Sequence, residues 1–361
     1  MAVRLTMMLF PFAVGWDIKA FLWAGGQINK GLDLYWGLGT REYFAFLPTF
    51  GMITAALLKL NFLPAFISIK LAAVFFDSLM ALLIATACRD IKKGIVYALS
   101  PVSLICAVSG QFDAIPLFFA VTALYLASRK SLSLGSLMLG TAIAFKPWPV
   151  IFAPLMLLRV KAWRPRIKFL TIMALMPLAV IVSYKILIPD ADLATMVGSI
   201  VLYESAFGWW GPSVLFKYLA LLSGHRKILT LPVFLSKLLS LAILIRIYAV
   251  YKYKNIFWSA QLVIFILYIF SFGLSIHYFV WILPFLLVNK NKLVPEFFLA
   301  TGIFTVLNAA YIFDYRYLPP ALPVWLKDTA AVFLWGFMVL WGLKNYRIQK
   351  LLNSIITFRA F

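Results

Sequence analysis

Long apolar stretches separated by short clusters of lysine and arginine make up most of this chain. The stretches lack the period-2 alternation of a half-buried strand, and they run too long without polar interruption, so each reads as a helix. They cover Val3–Trp16, Leu63–Cys88, Gly94–Ser109, Ala114–Ser128, Leu132–Leu158, Phe169–Ile188, Ile228–Val250, Ile256–Ser275, Ile276–Val288, Val294–Phe313 and Leu326–Leu343. Within Leu132–Leu158 the pair Lys146-Pro147 falls near the middle. Proline removes a donor and drives the residue before it out of the helical region, so this segment is read as two short helices meeting at the pair. The first stretch is short for a hydrocarbon core of about 30 Å, which takes about 20 residues. It reads as a first span rather than a secretory leader, because no small-residue cleavage site follows it.

Composition turns these helices into an expected membrane protein. Of the 361 residues 64% are apolar and 12% are charged, against about 25% charged in a soluble domain. Mean hydropathy is +0.97. The expected fold class is an all-α polytopic membrane protein, a single transmembrane domain over residues 1–361 with no soluble domain. Cys88 and Cys106 are the only cysteines and His225 and His277 the only histidines, which excludes a disulfide scaffold and a zinc cluster.

Charge assigns sidedness. The net charge is +21, and the cations sit in clusters between apolar runs: Arg89, Lys92 and Lys93; Arg129 and Lys130; Arg159 to Lys168; Lys252 and Lys254; Lys290 and Lys292; Lys344 to Lys350. This is the positive-inside pattern of cytoplasmic loops. It implies membrane lipids, with anionic headgroups, as neighbours. Nucleic acid is not expected as a partner, because no contiguous basic surface interleaved with aromatics is present. Both termini are then cytoplasmic. Residues 17–62 form a first external loop in which Tyr43–Leu60, although apolar, lies on the outer leaflet; crossing there would invert every later basic loop. Of the 12 acidic residues, Asp17, Asp33, Glu42, Asp113, Asp190, Asp192, Glu204, Asp314 and Asp328 map outside. Acidic residues contribute little to topology selection, so their gathering there points to polar work on that face.

Five places could carry chemistry. Asp17 follows the first span in Gly15-Trp16-Asp17-Ile18-Lys19. A partly desolvated carboxylate suits a general base; the alternative is a helix N-cap. In Gly110-Gln111-Phe112-Asp113, an outer turn, Gln111 and Asp113 could hydrogen-bond a polyol, or the turn could merely cap the next helix. Lys146 places an ammonium amid apolar residues, which costs roughly 2.5–3.5 kcal/mol on insertion scales unless it is paired. It is either an anion partner or a structural partner of Asp77 or of a backbone carbonyl. Lys70 and Asp77, two turns apart on one helix face, read as packing or network residues. In Ser275-Ile276-His277-Tyr278-Phe279-Val280-Trp281, His277 and Tyr278 could meet a phosphate or a sugar hydroxyl; an aromatic belt also accounts for Tyr278 and Trp281. In the run from Tyr203 to Pro212, Trp209 and Trp210 beside Glu204 offer faces on which a pyranose stacks, or they are belt tryptophans.

In this order and sidedness the elements resemble the GT-C superfamily of membrane glycosyltransferases, over nearly the whole chain. The resemblance rests on Asp17 opening a long first outer loop, Gly31-Leu32-Asp33-Leu34-Tyr35, the stretch Tyr43 to Pro48, the Gly110–Asp113 turn, the Phe145-Lys146-Pro147 break and the run from His277 to Pro284. It implies a GT-C-like bundle of about 10–12 transmembrane helices with external juxtamembrane helices. It also implies an inverting, mannosyltransferase-like transfer of a hexose from a polyprenyl (dolichyl-type) phosphate carrier, at the external or lumenal face. The acceptor would be a hydroxyl on a glycan, lipid or protein. Asp17 would be the base; Lys146, His277, Arg41 and Tyr278 would hold the donor phosphate; Gln111, Asp113, Glu204, Trp209 and Trp210 would meet sugar or acceptor. Such a donor brings no nucleotide, and no cofactor is expected. The family's frequent paired acidic motif is replaced here by Asp17 with Lys19. A polytopic transporter or lipid-linked-glycan flippase is the alternative, since it also uses buried charge and broken helices.

Overall fold

The computed structural model describes residues 5–6, 16–35, 44, 46–201, 208–224, 230–251, 255–271, 273–291, 294–312 and 324–346. Among them the chain folds into 16 α-helices and two 3-10 segments, with no strand. In chain order the helices are α1 Trp16–Asn29, α2 Thr49–Leu60, α3 Ala65–Cys88, α4 Ile91–Ala98, α5 Pro101–Val108, α6 Ala114–Ser128, α7 Leu132–Phe145 and α8 Ala153–Leu157. There follow α9 Trp163–Leu187, α10 Leu193–Val201, α11 Pro212–Ser223, α12 Thr230–Tyr251, α13 Ile256–Phe270, α14 Leu283–Val288, α15 Val294–Ile312 and α16 Val324–Tyr346. Among the described residues three stretches are long and apolar enough to cross a membrane: Ala65–Cys88, Trp163–Leu187 and Val324–Lys344. The segment Val3–Trp16 lies almost wholly outside the described residues.

Three of the apolar stretches are divided: Ile276–Val288 into a 3-10 segment, Ile276–Trp281, and α14, and the other two each for a local reason. Gly94–Ser109 becomes α4 and α5, because Ser100 accepts a hydrogen bond from the Ser103 amide and Pro101 follows at the first helical position. That pair is a helix start. Leu132–Leu158 breaks at Lys146, whose backbone is extended (φ −150°, ψ 132°) ahead of Pro147, as the pre-proline restriction requires. A 3-10 segment, Trp148–Phe152, leads into α8. The break frees carbonyls at the end of α7, and the Thr49 hydroxyl of α2 donates to that of Ala144.

The backbone contacts divide the chain into two compact units, residues 1–203 with 309–320, and residues 204–308 with 321–361. In the first unit α6 and α7 form an antiparallel hairpin, and α9 packs along α7. The α7–α9 approach depends on Pro177. It has no N–H for the Met173 carbonyl one turn back, and a Cβ placed on Gly140 of α7 would lie 2.2 Å from that oxygen. Only glycine admits this crossing. A core beneath the outer turns joins Ile18, Phe21, Phe44, Phe50, Phe112, Ala144 and Tyr184.

This unit has two chemically different ends. Lys70 of α3 lies against Gly110, just ahead of α6, and Phe76 meets Phe118 and Phe119. The two helices therefore run in the same direction. Both then travel some 20 Å or more, at 1.5 Å per residue, to the end where Arg89 and Arg129 stand. Lys130, Arg164 and Lys168 line one cavity at that same end. At the opposite end the Asp192 amide donates to Asp33 (3.0 Å), and Tyr184 donates its hydroxyl to Asp33 (2.6 Å) while accepting from the Leu34 amide (2.7 Å). Within this unit Asp33 and Asp192 thus lie at one end, and Arg89, Arg129, Lys130, Arg164 and Lys168 at the other.

In the second unit α13 is the central helix, buried along almost its entire length. It stops at Phe270, where Ser271 turns extended. Its last carbonyls are taken by indoles: Trp210 donates to Tyr268 (2.6 Å) and Trp335 to Ile269 (2.9 Å). Such capping removes the cost of orphaned helix-end acceptors.

Candidate active site

The first unit brings four of the expected site residues into one region. Gly110 adopts φ +72°, which glycine tolerates freely, and its open side takes the Ile18 side chain; a Cβ there would stand 2.5 Å from Ile18 Cδ1. The turn carrying Gln111 and Asp113 is therefore docked on the residue that follows Asp17. The charges of Asp113, Asp77, Lys146 and Asp17 all act on the buried Cys106 thiol, which places the four groups around one point.

Lys146 reaches Asp113, its Nζ 2.9 and 3.0 Å from the two carboxylate oxygens. Asp113 is fully buried and Lys146 is 5% exposed. Asp113 stands at the N-cap position of α6 yet makes no side-chain cap hydrogen bond, so its carboxylate serves the ion pair. The ammonium also lies 5.1 Å from the centroid of Phe46 and 5.0 Å from that of Phe112, inside the range of cation–π attraction. Phe112 is itself held by Phe21, Phe46 and Phe50 at 4.9, 5.2 and 5.0 Å. Asp77, the partner considered from sequence, accepts instead from the Tyr97 hydroxyl (2.8 Å) and the Ser103 hydroxyl (3.0 and 3.1 Å).

Two groups in this region remain open. Gln111 is 5% exposed, and its Oε1 has no hydrogen-bond partner among the described residues. A buried acceptor left this way costs about 1–3 kcal/mol, which a hydroxyl from a ligand would recover. Asp17 is half-buried, makes no hydrogen bond or ion pair with the described residues, and lies in the first turn of α1. It is inside the helix rather than at its cap. An anion there is favoured by the helix dipole.

The Asp33 network closes the flank. Tyr35 donates its hydroxyl to the Phe46 carbonyl (2.6 Å) and its amide to Asp33 (3.2 Å). Burial, with Tyr184 and Asp33 beside it, pushes the Tyr35 phenol well above its usual range. It acts as a fixed hydroxyl donor that orients Phe46 over Lys146.

The second unit holds the other expected residues. His277 takes a hydrogen bond with Ser275 through Nδ1 (3.0 Å), and its ring stands edge-on to Tyr278 at 4.4 Å. Tyr278 stacks on Trp281 at 4.3 Å. Trp210 is fully buried between Phe279 and Phe304, its indole N–H given to Tyr268. Trp209 is half-buried and carries Lys327 Nζ 3.8 Å above its ring. Arg41 and Glu204 lie outside the described residues.

One polar cluster in this unit escapes sequence reasoning. Asp328 accepts from Lys217 and from the Tyr218 hydroxyl (2.7 Å), and Lys327 stands 3.4 Å from its other oxygen. Two cations and one carboxylate leave a net positive charge beside Trp209. The signal in the sequence was a charge inside each of two apolar helices, α11 and α16. Among the described residues no three His, Cys, Asp or Glu side chains gather to hold a metal. Comparison with protein-family models, with curated proteins and with solved structures returns no match for this chain.

Proposed function

We propose that this chain is a polytopic membrane glycosyltransferase of the GT-C type, moving a hexose from a polyprenyl-phosphate carrier to an acceptor hydroxyl at the external face. The observation that carries the reading is the gathering, in one region of the first unit, of a carboxylate (Asp17) and a buried acceptor (Gln111 Oε1) that have no hydrogen-bond partner among the described residues, beside a buried ion pair (Asp113–Lys146). The membrane setting is supported by α9, whose most apolar stretch has mean hydropathy 2.0 with 11% of its residues buried. Exposed Leu175, Leu178, Val182 and Ile186 on it call for an apolar solvent.

In this reading Gln111 Oε1 accepts a hydrogen bond from an acceptor hydroxyl beside the attacking one, and the attacking hydroxyl donates to Asp17. Asp17 takes the proton as the oxygen attacks the anomeric carbon, and the carbon–oxygen bond to the lipid phosphate breaks with inversion. The leaving phosphate gains negative charge, and preorganised cations are the groups that stabilise such a change. Lys146 can serve only by exchanging part of its contact with Asp113 for the phosphate. The aromatic walls at Phe46 and Phe112 keep water from the centre.

The test is to incubate purified protein in lipid bilayers with radiolabelled polyprenyl-phosphate mannose or glucose and membrane lipid extracts. A labelled glycolipid, glycan or glycoprotein supports the proposal. Donor moved across the bilayer with no labelled product would favour transport instead.

A further inference from the structure

The basic end of the first unit contains a cavity of about 400 Å³ far from the Asp17 region. Lys130, Ser133, Ser136, Arg164, Lys168 and Phe169 line it. Three cations converge there, and none is ion-paired among the described residues. Their positions are fixed by backbone features. Lys130 closes α6 in the left-handed region at φ 65°, and Arg164 and Lys168 occupy successive turns at the start of α9. Ala162, at the N-cap of α9, makes no side-chain cap hydrogen bond. Like charges held together without a counter-ion repel one another, and an uncapped helix N-terminus attracts negative charge. The Ser133 hydroxyl is exposed at the rim and is one more donor.

The surroundings specify the kind of anion. Phe169 and Leu132 make one wall apolar. Beyond the cavity, on the face of α9 that carries Arg164 and Lys168, Leu175, Leu178 and Val182 are exposed, a surface suited to alkyl chains rather than to water. A free phosphate would use the cations and leave that surface bare; a phospholipid would use both. Basic pockets between helices on the cytoplasmic side are known binding places for anionic headgroups. We propose that this cavity binds the phosphate of an anionic phospholipid, whose acyl chains lie along the exposed face of α9. The proposal is independent of sugar transfer, since its readout is lipid binding.

The experiment is native mass spectrometry of the full chain in neutral detergent, titrated with phosphatidylglycerol and with phosphatidylcholine. The wild-type protein is expected to prefer phosphatidylglycerol. Lys130→Gln alone should weaken that binding about 5-fold, and the triple variant Lys130→Gln/Arg164→Gln/Lys168→Gln on the order of 100-fold. A control with Arg89, Lys92 and Lys93 changed to Gln removes as many charges at the same end and should leave the affinity within about 3-fold of wild type. The single variant lies in an exposed turn, so it reads out the proposal even where the triple variant fails to fold. Equal affinity for the two lipids, unchanged binding in Lys130→Gln, or an equal loss in the control triple would overturn the site. Displacement of phosphatidylglycerol by inorganic phosphate at matched concentration would overturn the lipid as its source.

Discussion

The Asp113–Lys146 pair supports a quantitative prediction. Both side chains are shut off from solvent, and the ammonium meets both carboxylate oxygens at 2.9 and 3.0 Å. Removing one member of a buried pair leaves the other charge uncompensated, which costs about 3–5 kcal/mol. Lys146→Met, whose side chain fits the slot between Phe46 and Phe112, should incur that full loss because Asp113 keeps its charge. Asp113→Asn should cost less, since Lys146 retains two aromatic faces worth about 0.5–2 kcal/mol together. The double variant buries no net charge and should cost under about 2 kcal/mol, giving a coupling of at least about 2 kcal/mol. Cys106 is a native reporter, buried at the same point. In a Cys88→Ser background, its rate of modification by a thiol dye through a denaturant series measures opening for all four proteins. Losses that add to within about 0.5 kcal/mol would refute a direct pair.

Three further outcomes follow from the geometry. Gly140→Ala drives a methyl into the Met173 carbonyl and should destabilise by about 1–3 kcal/mol; adding Pro177→Ala, which restores a donor for that carbonyl, should recover part of the loss in thermal unfolding. Asp192 accepts from Thr195 twice and from the Ala194 amide, which holds its carboxyl below the usual range. Its support for the start of α10 is therefore present above the unfolded value near ~3.9 and lost as pH falls through the lower folded value. Amide exchange at Ala194 and Thr195 should lose protection on acidification, and Thr195→Val should weaken that response. Single cysteines at Asp17 and at the exposed Asp192 in a cysteine-free background should react with an impermeant thiol reagent from outside sealed cells, and those at Arg129 and Lys290 should not; labelling of the second pair would invert the sidedness.

The sequence was most informative where one strong physical signal acted alone. α3 ends at Cys88 and α6 covers Ala114–Ser128 as expected, because continuous hydropathy leaves no competing structure. The Lys146-Pro147 break was legible because proline dictates the preceding backbone. Ser100-Pro101 carried an equally readable helix start, but the apolar run through it masked the signal. α10 and α11 went unseen as helices, and α1 was considered only as the helix that Asp17 would cap; their residues lie among aromatic and polar loop residues, and only packing stabilises elements that short. Partner choice was the least legible. Asp77 and Asp113 were both available carboxylates for Lys146, and the fold selected the one 33 positions away. The Lys217–Asp328 contact spans 111 positions, a separation at which pattern says nothing.

The central claim is that Asp17 is the base of a sugar transfer. Its carboxylate lies in the first turn of α1, half-buried and without a hydrogen-bond or ion-pair partner among the described residues, whereas Asp113 is committed to Lys146. Asp17→Asn keeps the shape and removes the charge. The direct measurement is the initial rate of transfer from radiolabelled polyprenyl-phosphate hexose by this variant, beside its donor-lipid binding and its thermal midpoint. The account predicts wild-type folding and donor binding with turnover lowered about 10²–10⁴-fold. Turnover by Asp17→Asn within a few-fold of wild type would contradict it.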